Sequence, residues 1–99
     1  MSQPVAPATL HVRNTTTASV TISADDGLVN LGSTTTTVTL SLAETFVVGQ
    51  YFYLYNGTAG GLTPTLSGSD TILGGAVAIP TLKSAMFVVT GPTSFSQLL

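Results

Sequence analysis

Cysteine and tryptophan are absent from this 99-residue chain, histidine occurs once, and charge is confined to two basic and four acidic side chains. Without cysteine there is no disulfide framework and no thiolate chemistry, and the redox compartment is left open. The two basic residues, Arg13 and Lys83, stand far apart. Nucleic-acid binding needs clustered Lys or Arg to displace phosphate counterions, so nucleic acid is not an expected partner. The single histidine, His11 in LHVR, has no second ligand at metal spacing and no serine or cysteine elbow to serve. It reads as a structural or interface residue.

The acidic residues are Asp25, Asp26, Glu44 and Asp70. Hydrolysis by paired carboxylates needs two of them presented from facing elements. Asp25 and Asp26 are instead neighbours in ADDG, a turn sequence whose carboxylates usually bond to backbone. Calcium at Asp25–Asp26–Gly27 would need six to eight oxygens in an EF-hand-like run, which is missing. The glycine stretches NGTAGG and LGGAVAIP lack the lysine, the GxGxxG spacing and the following helix of a phosphate cradle. They read as turns in which glycine supplies positive φ. The expectation is no enzyme, no metal and no cofactor. No apolar run approaches the roughly 20 residues of a membrane span. The opening MSQPVAPATL also lacks the basic and apolar regions of a secretion signal, so no membrane partner is expected. On that ground the triplets NTT (14–16) and NGT (56–58) are discounted as glycosylation sites.

Against these absences stand 43% apolar residues and only 6% charged. Ordinary soluble domains carry charge on about 25% of residues. Serine and threonine hydroxyls can cover part of the surface, and burial against other chains covers the remainder. The composition therefore describes an obligate assembly component.

The local pattern is β throughout. ASVTIS (18–23) places Ala18, Val20 and Ile22 on one face, and TTVTLSL (36–42) places Val38, Leu40 and Leu42 likewise, with hydroxyls between. A period of two in Thr- and Val-rich runs marks half-buried strands. Further strands are expected at 9–13, 47–55, 62–66, 76–80, 85–89 and 93–99, separated by ADDG, NGTAGG, SGSD, GG and GP. SLAETF (41–46) has room for one helical turn at most. The expected fold is all-β: a small antiparallel sandwich or barrel of about eight short strands, formed by residues 9–99. MSQPVAPA (1–8), with two prolines that deny a central strand its N–H groups, reads as an extended N-terminal arm. Its Pro4, Val5 and Pro7 are candidate contacts to a neighbouring subunit.

YFYLYNGTAGG (51–61) carries the most aromatic strand. Phe52 and Leu54 have no hydroxyl to satisfy and belong in the core, which turns Tyr51, Tyr53 and Tyr55 outwards. Three exposed aromatics in a row ask for a partner: a neighbouring subunit first, a glycan platform second, a half-covered outer sheet face third. The run STTTTVT (33–39) raises the flat T-x-T rows of ice-binding faces, but such rows recur at a fixed repeat and no constant period is visible in the residue numbering.

From Val38 onward the chain VTLSLAETFVVGQYFYLYNGTAGGLTPTLSGSDTILGGAVAIPTLKSAMFVVTG resembles the small β-modules of tailed-phage virion proteins. The shared order is a V-x-L strand, a vGq.f.lyN.taggLT hairpin, an sGsDtI.GG loop and an L…A.fvvtG closing hairpin. The resemblance implies a non-enzymatic virion structural protein, usually a homotrimer. It would either cement the head by binding the major capsid protein between capsomers or bind host glycan from a tail fibre or spike. Fibre modules often finish on a Trp-bearing strand, whereas this chain ends in TSFSQLL. A chain of this length leaves little room for a fibre's attachment part and shaft. The reading is therefore a capsid decoration protein on the virion surface, assembled in the host cytoplasm.

Overall fold

A computed structural model describes residues 10–99; the arm residues Pro4, Val5 and Pro7 lie outside them. The described residues are nearly all-β, with eight strands: β1 (Val12–Thr15), β2 (Ser19–Ile22), β3 (Leu28–Leu31), β4 (Thr37–Leu40), β5 (Tyr51–Asn56), β6 (Thr71–Ile72), β7 (Ser84–Gly91) and β8 (Ser94–Leu98). Ala43–Thr45 forms one 3₁₀ turn inside SLAETF. The eight strands make a six-stranded sheet in the order β1-β3-β5-β7-β8-β6 and a two-stranded sheet of β2 and β4.

The sheets are mixed, where alternation alone suggested antiparallel pairing. β1 with β3, β3 with β5, β2 with β4 and β6 with β8 all run parallel. Among the strand pairs of the described residues, β5–β7 and β7–β8 are antiparallel. Parallel neighbours need a crossover connection. Here the crossover is a strand of the opposite sheet: the chain leaves β1, makes β2, returns to β3 beside β1, makes β4 beside β2, and returns again as β5. Each circuit is one rung of a short coil. A third rung is marked by Thr65, which bridges Thr39 in parallel. The β7–β8 hairpin then closes the stack against β5.

Three expected strands are reduced: 62–66 and 76–80 keep only isolated bridges, Leu62 to Ile79 and Thr65 to Thr39, and the first part of 47–55 is a turn whose Gln50 side chain accepts the Val47 N–H. Two strands arise that the sequence pattern did not announce, β3 within DGLVNLG and the two-residue β6. β3 has four residues between turn glycines, and its alternation of half-buried and buried positions is too short to stand out.

Glycine holds two corners for a steric reason. A Cβ on Gly32 would collide with the Thr15 carbonyl oxygen, and one on Gly57 would lie 2.6 Å from that of Leu31. Each glycine follows a strand of the large sheet and passes directly over the preceding rung. Their φ angles are not positive, in contrast with Gly68, Gly74 and Gly75, which do supply left-handed turns. The expectation of positive φ therefore holds for Gly74 and Gly75 of LGGAVAIP and fails for the glycines of NGTAGG, where Gly57 is required by close backbone approach instead.

Between the sheets, the inward residues of both form one core: Val20, Ile22, Val38 and Leu40 from the small sheet meet Val29, Leu54, Phe87 and Phe95 from the large one. Phe52 and Phe87, register partners on β5 and β7, stack with centroids 5.2 Å apart, while Phe95 meets Phe46 edge-on at 5.7 Å. Burying each phenylalanine contributes about 1.5–3 kcal/mol by transfer alone. Polar groups inside are fully engaged. The Asp26 carboxylate accepts the Ser23 N–H and two guanidinium N–H groups of Arg13 at 3.0 Å each. The Asp70 carboxylate accepts the buried Ala43 N–H at 2.7 Å.

Candidate interaction face

Tyr51, Tyr53 and Tyr55 point outwards from β5, alternating with buried Phe52, Leu54 and Asn56. Tyr51 is the most open, at 54% exposed, and the other two are half-buried. The Tyr51 and Tyr53 rings meet edge-to-face at 6.1 Å. Such a pair fixes both rings and lowers the entropy cost of ordering them against a partner.

The tyrosines are part of a larger surface that sequence reading missed. Sheet register aligns Val12, Leu28, Tyr53, Met86 and Leu98, one residue from each of five neighbouring strands. Their inner neighbours Val29, Leu54, Ala85 and Phe87 are buried, so this row lies on the outer face. Tyr51, Val88 and Ser96 form the next row on one side. Asn14, Asn30, Tyr55 and Ser84 form the row on the other, with the Asn30 amide donating to Asn14 Oδ1 at 2.8 Å. None of these residues is charged. The signal in sequence was the outward half of each alternation. What could not be read was which strands stand side by side.

The loop after the tyrosines is organised by Asn56, a fully buried side chain. Its amide donates to the Gly60 and Ile79 carbonyls at 2.8 Å each, and its Oδ1 accepts the N–H and hydroxyl of Thr58 at 2.9 and 2.6 Å. NGTAGG is thus a closed turn, held together from within chiefly by this side chain, and it offers no anion cradle.

The remaining sequence candidates are dispersed. His11 sits exposed at a turn, where its Nδ1–H donates to the Asp25 carbonyl at 2.7 Å. Asp26 and Asp70 are buried at separate turns, and Glu44 lies in the first turn of the 3₁₀ segment. Among the described residues no three His, Cys, Asp or Glu side chains converge, no pocket opens, and no helix is long and apolar enough to cross a membrane. The surfaces this molecule offers are therefore the faces of its sheets. No protein-family model matches the chain, and no curated protein is significantly similar to it.

Proposed function

We propose that the protein is a structural subunit of a tailed-phage virion, a capsid decoration protein that buries the outer face of its six-stranded sheet between capsomers. The observation that carries this reading is the uncharged row Val12–Leu28–Tyr53–Met86–Leu98, flanked by Tyr51 and Val88. Interface cores are depleted in charge and enriched in Tyr and Met. The reading also accounts for a chain with charge on only 6% of residues. The phage assignment itself rests on the motif order of the segment from Val38 onward.

The size of the face constrains how it is used. Five strands about 4.8 Å apart and roughly five residues long at about 3.3 Å per residue cover on the order of 400 Å². A standard stable interface buries about 800 Å² per partner. At about 25 cal/mol per Å² the face yields roughly 10 kcal/mol before association costs of about 4–15 kcal/mol. One such contact alone is weak. A homotrimer presenting several contacts at once to the major capsid protein converts weak contacts into stable occupancy. Pro4, Val5 and Pro7 of the arm are the proposed second point of attachment.

Size-exclusion chromatography with light scattering, followed by mixing with bare capsids and with host cells, tests the assignment. A trimer that saturates capsids and ignores cells is expected. A monomer that binds neither overturns it. The second reading, a fibre or spike module holding host glycan, draws on the three outward tyrosine rings of β5, none of whose hydroxyls has a hydrogen-bond partner among the described residues. Adsorption to cells or polysaccharide with bare capsids left empty would select it.

A further inference from the structure

The small sheet presents a face of different chemistry. Its rungs read Ser19-Val20-Thr21, Thr37-Val38-Thr39 and Thr63-Pro64-Thr65, with the middle residue buried each time. Register stacks Ser19 on Thr37 and Thr21 on Thr39, and the parallel bridge adds Thr65 beside Thr39. Thr63, two residues before that bridge, is also exposed. The result is a patch of six outward hydroxyls on three rungs, five of them set by register in a column of two and a column of three. Strands stand about 4.8 Å apart and alternate residues along a strand about 6.6 Å apart, so the grid repeats on two fixed distances. Neighbouring side chains use only its backbone: Arg13 donates to the Thr21 carbonyl and Thr17 to that of Ser19. Among the described residues none of the six hydroxyls has a hydrogen-bond partner, and none of the six positions is charged.

The numbering hid this repeat. Equivalent residues are separated by turns of unequal length, from Thr21 to Thr39 and then from Thr39 to Thr65, so no constant period exists along the chain. The period exists in space, where hydrogen bonding between parallel rungs imposes it whatever the turn length.

We propose that this face binds ice. A neutral grid repeating on two fixed distances is complementary to a ligand that is itself neutral and periodic. The oxygens on the prism faces of hexagonal ice repeat close to the rung spacing in one direction and at somewhat more than the along-strand spacing in the other. Threonine is well suited to such a surface, because its restricted χ1 holds hydroxyl and methyl in one orientation and the grid is ordered before it meets the lattice. A free sugar or a second copy of this chain would use some of the hydroxyls but would not require the two-dimensional period. Three rungs make a small grid, so the expected activity is capture by growing ice and inhibition of recrystallisation, with only slight thermal hysteresis.

The test freezes the purified full chain slowly onto a cold finger and compares the fraction entering ice with that of a non-binding protein of similar size. Thr39→Tyr puts a ring at the grid's centre, and Thr37→Val removes one hydroxyl while keeping the shape. Circular dichroism and melting check that both fold. Wild type is expected to enter ice several-fold above the control, with Thr39→Tyr reduced to the control and Thr37→Val in between. Tyr51→Ser/Tyr53→Ser/Tyr55→Ser, on the opposite sheet, is expected to enter as wild type does. Exclusion of wild type from ice overturns the proposal, as does equal capture of wild type and Thr39→Tyr. Loss of self-association or of polysaccharide binding in Thr39→Tyr, without any ice capture by wild type, overturns it too and identifies a second copy or a glycan as the occupant. The oligomeric state bears on the virion reading and leaves this outcome unaffected.

Discussion

Replacing Asn56 with leucine removes a side chain that makes four hydrogen bonds in a fully buried position. The cost follows from which partners are left alone. The Ile79 carbonyl still accepts the Leu62 N–H, and the Thr58 hydroxyl, released from Oδ1, can turn its single proton to the Gly60 carbonyl. The Thr58 N–H keeps nothing, and an unsatisfied buried donor costs about 1–3 kcal/mol. The three bonds whose partners find or keep another contact are worth about 0.5 kcal/mol each at the low end of the usual net range. The sum is about 3 kcal/mol, a large part of the roughly 5–15 kcal/mol expected for a domain of this size. With a urea m-value of about 1–1.5 kcal/mol per M, the midpoint should fall by roughly 2–3 M. Asn56→Asp sharpens the reasoning. It keeps the acceptor for Thr58 but turns an oxygen towards two carbonyls, so its folded-state pKa must rise. Its penalty should therefore be smallest below the ordinary carboxylate pKa and grow as pH rises towards neutrality. Urea denaturation at acid and neutral pH reads both effects. A leucine variant within about 0.5 kcal/mol of wild type, the usual scatter for surface substitutions, would refute the account of this loop.

Three further outcomes are expected. Gly32→Ala, whose Cβ would collide with the Thr15 carbonyl oxygen, should lose several kcal/mol, about 3 or more by analogy with overpacked cores. Gly60→Ala, with nothing within 4 Å of its Cβ, should be near neutral, and thermal melts of the two compare them. Leu82 is exposed and holds φ at 61°, so Leu82→Gly should stabilise by up to about 1 kcal/mol in the same melts by relieving left-handed strain. Tyr51→Ser/Tyr53→Ser/Tyr55→Ser should keep the strand content seen by circular dichroism while losing assembly by light scattering. A fully assembled triple variant would exclude the tyrosines from the interface.

How much of this was legible in sequence depends on whether the signal was local. The alternation in ASVTIS and TTVTLSL placed Ala18, Val20, Ile22, Val38, Leu40 and Leu42 on the inward faces; Val20, Ile22, Val38 and Leu40 are buried, while Ala18 and Leu42, just beyond the ends of β2 and β4, are exposed. YFYLY set its tyrosines outwards for the same reason. Strand direction was not legible, because a period of two reports which face is buried and says nothing about whether the neighbour runs parallel. β3 was missed because four residues between turns carry too little pattern. Gly57 was recognisable as a turn residue within NGTAGG and Gly32 was not singled out; the necessity of both comes from the carbonyl of the rung beneath, a contact with no trace in the neighbouring sequence.

What the sequence determined by itself was composition and the facing of its clearest strands: a chain with little charge and no thiol, with Val20, Ile22, Val38, Leu40, Phe52 and Leu54 inward and the hydroxyls and tyrosines that alternate with them outward. These follow from side-chain chemistry and the geometry of a single extended strand. Only the tertiary structure decided adjacency. Hydrogen bonding between parallel rungs brought Val12, Leu28 and Tyr53 into one row, which the antiparallel hairpin extends to Met86 and Leu98, and set Thr21, Thr39 and Thr65 in one column. Residues far apart in the chain become neighbours there because turns absorb differences in length while the ladder fixes the spacing.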